Sequence, residues 1–155
     1  MEFCKTKVGK TKVAHKKIAL LSIMGIACLH AELSLAGVSV VVHPSVELAS
    51  IQNQIAANIF LGKSSLLPDG TKVIPIDQEE GEEPRDEFYQ KVVKKDASQL
   101  NAYWSRLIFT GKGQPPKVVL DDDEVIELIA ANPNLIGYVS DSAVDSTVKV
   151  ILSVP

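Results

Sequence analysis

The run VVLDDDEVIELIAANPNLIGYVS, residues Val118 to Ser140, changes its hydrophobic period twice in one short stretch. Val118–Leu120 reads as a brief strand. Asp121-Asp122-Asp123-Glu124 then precedes Val125, Leu128 and Ile129. Apolar residues three and four apart occupy one face of a helix. Carboxylates ahead of them suit its start, because they meet the positive end of the helix dipole. Asn132-Pro133-Asn134 stops the helix, and Leu135–Ser140 resumes as a strand. Strand, helix and strand in direct succession point to an α/β protein.

The same alternation extends outward. Val38–His43 (VSVVVH) is a β-branched run that reads as a buried strand, ended by Pro44-Ser45. Leu48, Ile51, Ile55 and Ile59 recur at three- and four-residue spacing and predict a helix from about Ala49 to Leu61. Gly62 and the Pro68-Asp69-Gly70 turn break it. Lys72–Ile76 predicts a second strand, in which Pro75 argues for an edge position or a strand end. Asp77–Glu83 reads as an acidic loop. Pro84 suits the first turn of a helix whose stripe is Phe88 and Val92. Asp96 with Gln99 forms a capping pair ahead of a helix carrying Leu100, Tyr103, Trp104, Leu107 and Ile108. Thr147–Val154 predicts a closing strand. The expected architecture is one mixed sheet with helices on both faces.

Charge divides the chain at its start. Six of the sixteen basic residues, Lys5, Lys7, Lys10, Lys12, Lys16 and Lys17, precede the apolar run Ile18–Cys28, and Ser34-Leu35-Ala36 follows. A positive segment, an apolar segment too short to span a bilayer and small residues at −3 and −1 are the order of a secretory signal peptide. Residues 1–36 are therefore expected to be a leader cleaved after Ala36. Two readings compete: a buried N-terminal helix, and a lipid anchor on Cys28, which lacks a leucine three residues before the cysteine. Residues 37–155 hold ten basic and seventeen acidic residues, a net charge of −7. That domain has no basic footprint for nucleic acid. Both cysteines, Cys4 and Cys28, lie in the leader, and His43 is the single histidine left. A disulfide, a thiolate nucleophile and a zinc centre are thereby disfavoured.

Individual motifs are weak. Ala57–Ser64 (ANIFLGKS) imitates a phosphate-binding loop, but its first glycine is missing and it runs from helix to loop instead of strand to helix. Asp121–Glu124 lacks the alternating ligand spacing of a calcium loop and reads as a charged helix start. Tyr103 and Trp104 read as core side chains. No hydroxyl, base and acid set suggests an enzyme.

Taken in order, Ile59–Lys63 (IFLGK), Pro68–Gly70, Val73–Ile76 (VIPI), Arg85–Phe88 (RDEF), Tyr103-Trp104, Phe109–Gly111 and Ile136–Val139 (IGYV) carry a resemblance. Together they resemble the phosphate-binding proteins of bacterial phosphate ABC transporters, and in particular their short stand-alone members. The resemblance covers about Val40 to Val139 and implies a type II periplasmic-binding-protein fold, with this chain as one lobe, similar to the second. It also implies an anion gripped by an arginine and a Ser-Gly-Thr segment at a helix start, where backbone N–H groups point at the ligand. The corresponding stretch here is Gln78–Arg85 (QEEGEEPR): the hydroxyls are gone, Pro84 removes a donor and glutamates surround the place. Arg85 then either clamps an anion or pairs with a nearby glutamate.

The reading expects residues 37–155 to be a periplasmic or secreted solute-binding-like domain without cofactor, metal or enzymatic activity. Phosphate or another small anion would bind weakly at a degenerate site, with Arg85, Ser64, Ser65 and Ser45 as candidate ligand-binding residues. The alternative is an envelope protein–protein interaction module that has lost its small ligand.

Overall fold

The structure, a computed structural model, describes residues 37–155. The expected leader, its cleavage point after Ala36, Cys4 and Cys28 lie outside the described residues. Five strands form one mixed sheet in the order β3-β2-β4-β1-β5. They are β1 Val38–Val42, β2 Ile74–Gln78, β3 Lys117–Val119, β4 Leu135–Ser140 and β5 Lys149–Val154. Strand β2 runs parallel to both β3 and β4, whereas β1 is antiparallel to β4 and β5. All five residues of β1 are buried, as its four valines suit in a strand covered on both faces; the Ser39 hydroxyl among them donates to Asp141.

Side chains alternate between two cores, because successive Cβ atoms of a strand point to opposite faces. Val38, Val40 and Val42 of β1 join Ile136 and Tyr138 of β4 on one face. There they meet Ile59 and Phe60 of α1 (Asn53–Phe60), Phe88 of α2 (Glu83–Phe88), and Leu100 and Trp104 of α3 (Ala97–Phe109). Val41, Ile76, Val119 and Val139 point the other way, onto Val125 and Ile129 of α4 (Asp122–Ala131). Gly137 lets α4 lie close on the sheet: a Cβ there would stand 2.8 Å from Val125 and 3.0 Å from Ile129. Helices thus cover both faces, as the alternating pattern predicts.

Three elements depart from the sequence reading. Helix α1 begins at Asn53, not Ala49, because the Ile51 N–H donates to the Ile151 carbonyl at 2.8 Å and Gln52 is extended. Ile51 is buried, but against the sheet edge and not on a helix face. The inward face of α1 is Ala56, Ile59 and Phe60, with Ile55 only partly buried. Strand β2 is shifted two residues toward the C-terminus. Pro75 sits near its start, where β4 pairs with it and β3 does not reach. Asp77 and Gln78 therefore belong to a strand and are buried, where a solvated loop was expected. Finally, α2 continues as a π turn, Tyr89–Val93, ended by Lys94 at φ 59°. The wider turn buries Tyr89 and Val93 beside the expected Phe88 and Val92.

These burial differences set the first expected result. Ile59→Ala should lower the unfolding free energy by about 2–5 kcal/mol, as loss of a fully buried side chain does. Ile55→Ala should cost less than half of that, since its side chain is only partly removed from water. Urea denaturation of the two variants checks the order, and equal losses would place Ile55 in the core.

Candidate functional site

In open α/β sheets the ligand crevice lies outside the carboxyl ends of parallel strands, where connections leave toward opposite faces. Here β2 leads into α2 and α3 on one face, and β3 leads into α4 on the other. At these strand ends lies a crevice of about 490 Å³. Glu82 and Glu83 line it from the start of α2, Asp121, Asp122 and Asp123 from the start of α4, and Ser140 and Ser142 from the end of β4.

Three donors beside this crevice are already engaged by one carboxylate. The Asp122 carboxylate accepts from Gln78 Nε2 at 2.7 Å, from Ser140 Oγ at 2.6 Å and from the Ser140 N–H at 3.2 Å. An internal carboxylate thus occupies the hydrogen-bonding groups at the ends of β2 and β4, in the first turn of α4. Two neighbouring N–H groups are taken up as well. The Asp121 side chain caps the Glu124 N–H at 3.0 Å, and the Glu124 carboxylate accepts from the Leu120 N–H at 2.7 Å. Among the described residues, no group of three or more His, Cys, Asp or Glu side chains is arranged to hold a metal ion.

Beneath the crevice lies a second polar network. Asp77, only 3% exposed, accepts from Tyr89 Oη at 2.9 Å, from Tyr138 Oη and from the Gln78 N–H at 3.0 Å. The Arg85 guanidinium approaches the same carboxylate, with Nε 3.6 Å from Oδ1, and its centre lies 5.4 Å from the centroid of the Tyr89 ring. Burial, then the Asp77 charge, pushes the Tyr89 and Tyr138 hydroxyls well above their usual range, so both remain protonated donors. Phe88 stacks on Tyr138 with ring centroids 4.3 Å apart, and this aromatic layer seals the pair.

The four sequence-predicted residues are placed in three locations. Arg85 faces inward onto Asp77 and not onto a glutamate; it is absent from the crevice lining. Ser64 and Ser65 come together in a groove at the amino ends of β2 and β3, with Lys63, Trp104 and Lys117. Ser45 lies in the exposed turn after β1, where its Oγ meets His43 Nδ1 at 2.7 Å. Sequence reasoning missed Asp77, Gln78, Tyr138 and Ser140 as members of the polar networks. Trp104 is buried, and Tyr103 ties α3 to α1 by donating to the Leu61 carbonyl at 2.7 Å, as core side chains do.

A five-stranded mixed sheet thus lies between two helical layers, with a crevice at its strand ends. Solved structures carry the same fold. One is a chain named as a phosphate ABC transporter substrate-binding protein with bound phosphate, from Clostridium perfringens; it is 21% identical, with a TM-score of 0.58, over 75% of this chain and 44% of that one. PstS from Borrelia burgdorferi is 15% identical, with a TM-score of 0.56, over 75% of this chain and 46% of that one. An ABC-type phosphate transport receptor from Vibrio cholerae is 17% identical, with a TM-score of 0.53, over 75% of this chain and 45% of that one. The chain spans less than half the length of these structures. No protein-family model and no curated protein matches the sequence.

Proposed function

We propose that this chain is an exported solute-binding-like domain in which the strand-end crevice has lost strong anion binding. The observation that carries this reading is the Asp122 carboxylate, which takes up the Gln78 and Ser140 donors at the place where an anion would lie. The inward turn of Arg85 onto Asp77 and the further carboxylates around the crevice support it. The structures of like fold are named for phosphate binding or transport. Phosphate or another small anion is therefore the ligand class to test, and weak binding is expected. The reading is that of a binding domain and not of an enzyme. Isothermal calorimetry of residues 37–155 with inorganic phosphate should give no micromolar binding, and a micromolar dissociation constant would overturn the proposal.

Export is the second part. Among the described residues no helix is long and apolar enough to cross a membrane. Protein recovered from the cell envelope or medium is expected to begin at Gly37 on N-terminal sequencing; a mature chain that retains Met1 would refute cleavage. A second reading, an envelope protein–protein interaction module, is favoured by one observation. Ile108 and Phe109 at the end of α3 are 56% and 93% exposed, and Leu120 after β3 is 60% exposed.

A further inference from the structure

At the opposite, amino ends of β2 and β3, remote from the acidic crevice, lies a groove of about 430 Å³. Its floor is apolar, built from Ile59, Trp104 and Ile74, and Pro115-Pro116 forms a wall. The charged residues in its lining are Lys63 and Lys117; no carboxylate lines it. In a domain with seventeen acidic and ten basic residues, this is a local reversal of sign. Neither lysine has an ion-pair partner among the described residues.

The groove is also preformed. Gly62 takes φ 66°, which L side chains rarely adopt, and packs its backbone against Trp104, where a Cβ would stand 3.4 Å away. The Lys63 and Ser64 N–H groups are both held by the Asn58 carbonyl, at 2.8 and 3.2 Å, and the Ser65 carbonyl accepts from Val73 at 2.9 Å. Proline fixes the opposite wall by locking φ. The groove lining is divided about evenly between apolar and polar groups, and a concave site of a few hundred Å³ in which placed polar groups meet apolar surface is the usual form of a small-molecule pocket.

We infer that this groove is a ligand site of its own, taking an organic carboxylate whose body is aromatic or branched aliphatic. The apolar body packs on Trp104, Ile74 and Pro116, while Lys63 and Lys117 supply the counter-charge and Ser65 a hydroxyl. A bare inorganic anion leaves the floor uncovered, and a dianion meets the repulsion of the whole domain. The site stands whether or not the strand-end crevice binds phosphate, because the two lie at opposite ends of the same strands.

Trp104 is the single tryptophan of the chain and lies in the groove, so its emission reports occupancy directly. The probes are 3-phenylpropionate, its neutral analogue 3-phenylpropanol, propionate and inorganic phosphate. Amide NMR spectra locate the binding. 3-Phenylpropionate is expected to shift Trp104 emission saturably and to move the amide resonances of Gly62–Ser65, Gln114 and Lys117. Two exposed charge contacts together should favour it over the alcohol by about tenfold. The double variant Lys63→Gln, Lys117→Gln, altered only at exposed side chains, should lose that preference and keep the fold. Equal affinity for acid and alcohol would overturn the inference. So would resonance shifts centred on Glu82, Glu83 and Ser140, or the absence of saturation at concentrations on the order of 10 mM. Failure of the crevice proposal reads out separately, as phosphate-induced shifts at Ser140 without change at Trp104.

Discussion

Arg85→Met is expected to lower the unfolding free energy by about 3–5 kcal/mol, the loss typical when one partner of a buried ion pair is removed. The side chains of Arg85 and Asp77 are 11% and 4% exposed, so solvent screens the pair little. Methionine keeps most of the apolar stem beside Tyr89 but withdraws the guanidinium. The Asp77 carboxylate would still receive the Tyr89 and Tyr138 hydroxyls and the Gln78 N–H, yet no opposite charge would face it. A buried charge without a counter-charge costs far more than a buried neutral group. The double variant Asp77→Asn, Arg85→Met removes both charges, and replacing a buried pair as a unit is often nearly neutral. It should therefore recover most of the loss. Guanidinium denaturation decides the matter, with the slope of the transition unchanged so that midpoint shifts report stability alone. A cost below about 1 kcal/mol for Arg85→Met would show that the guanidinium does not neutralise Asp77, and would leave Arg85 available as an anion ligand.

The fold was legible wherever a local rule and the tertiary structure agree. Val38–Val42 is buried on both faces and its apolar run says so. Asp96 and Gln99 form both bonds of a capping box, at 2.8 and 3.3 Å, because the three-residue spacing brings each side chain to the other's N–H. The acidic start of α4 and its stop at Asn132 follow from equally local chemistry. The start of α1 failed because Ile51 continues the apolar spacing while its backbone bonds to β5, a partner one hundred residues away. The polar networks failed for the same reason. Asp77 is tolerated inside a strand only because hydroxyls twelve and sixty-one residues further on reach it. The Asp122 to Ser140 bond joins the helix start to the strand end within the run that decided the fold class, but the sequence marks neither residue as the other's partner. The carboxylates and proline of Glu82-Glu83-Pro84 were visible in the sequence; the bonds that Gln78 and Ser140 give to Asp122 were not.

Those bonds set what it should take to build an anion site in the crevice. Glu82→Ser, Glu83→Gly, Pro84→Thr removes two negative charges and returns one backbone N–H at the start of α2. Asp122 would still hold Gln78 Nε2 and both Ser140 donors, so this triple variant should gain less than about tenfold in phosphate affinity. Adding Asp122→Ser releases those donors and removes a third charge, while Asp121 keeps capping α4 through its bond to the Glu124 N–H. Each charge-assisted hydrogen bond to the anion contributes roughly 1.5–3 kcal/mol. Two regained bonds should then raise affinity by about two orders of magnitude or more over the wild type. The absolute affinity should stay modest, because one lobe encloses only one side of the ligand. Calorimetry of wild type, triple and quadruple variants at a single salt concentration separates the contributions. A triple variant that already matches the quadruple would show that the α2 glutamates, and not Asp122, block the crevice. A quadruple variant that folds normally and binds no better than wild type would show that the released Gln78 and Ser140 groups do not point where an anion can reach them.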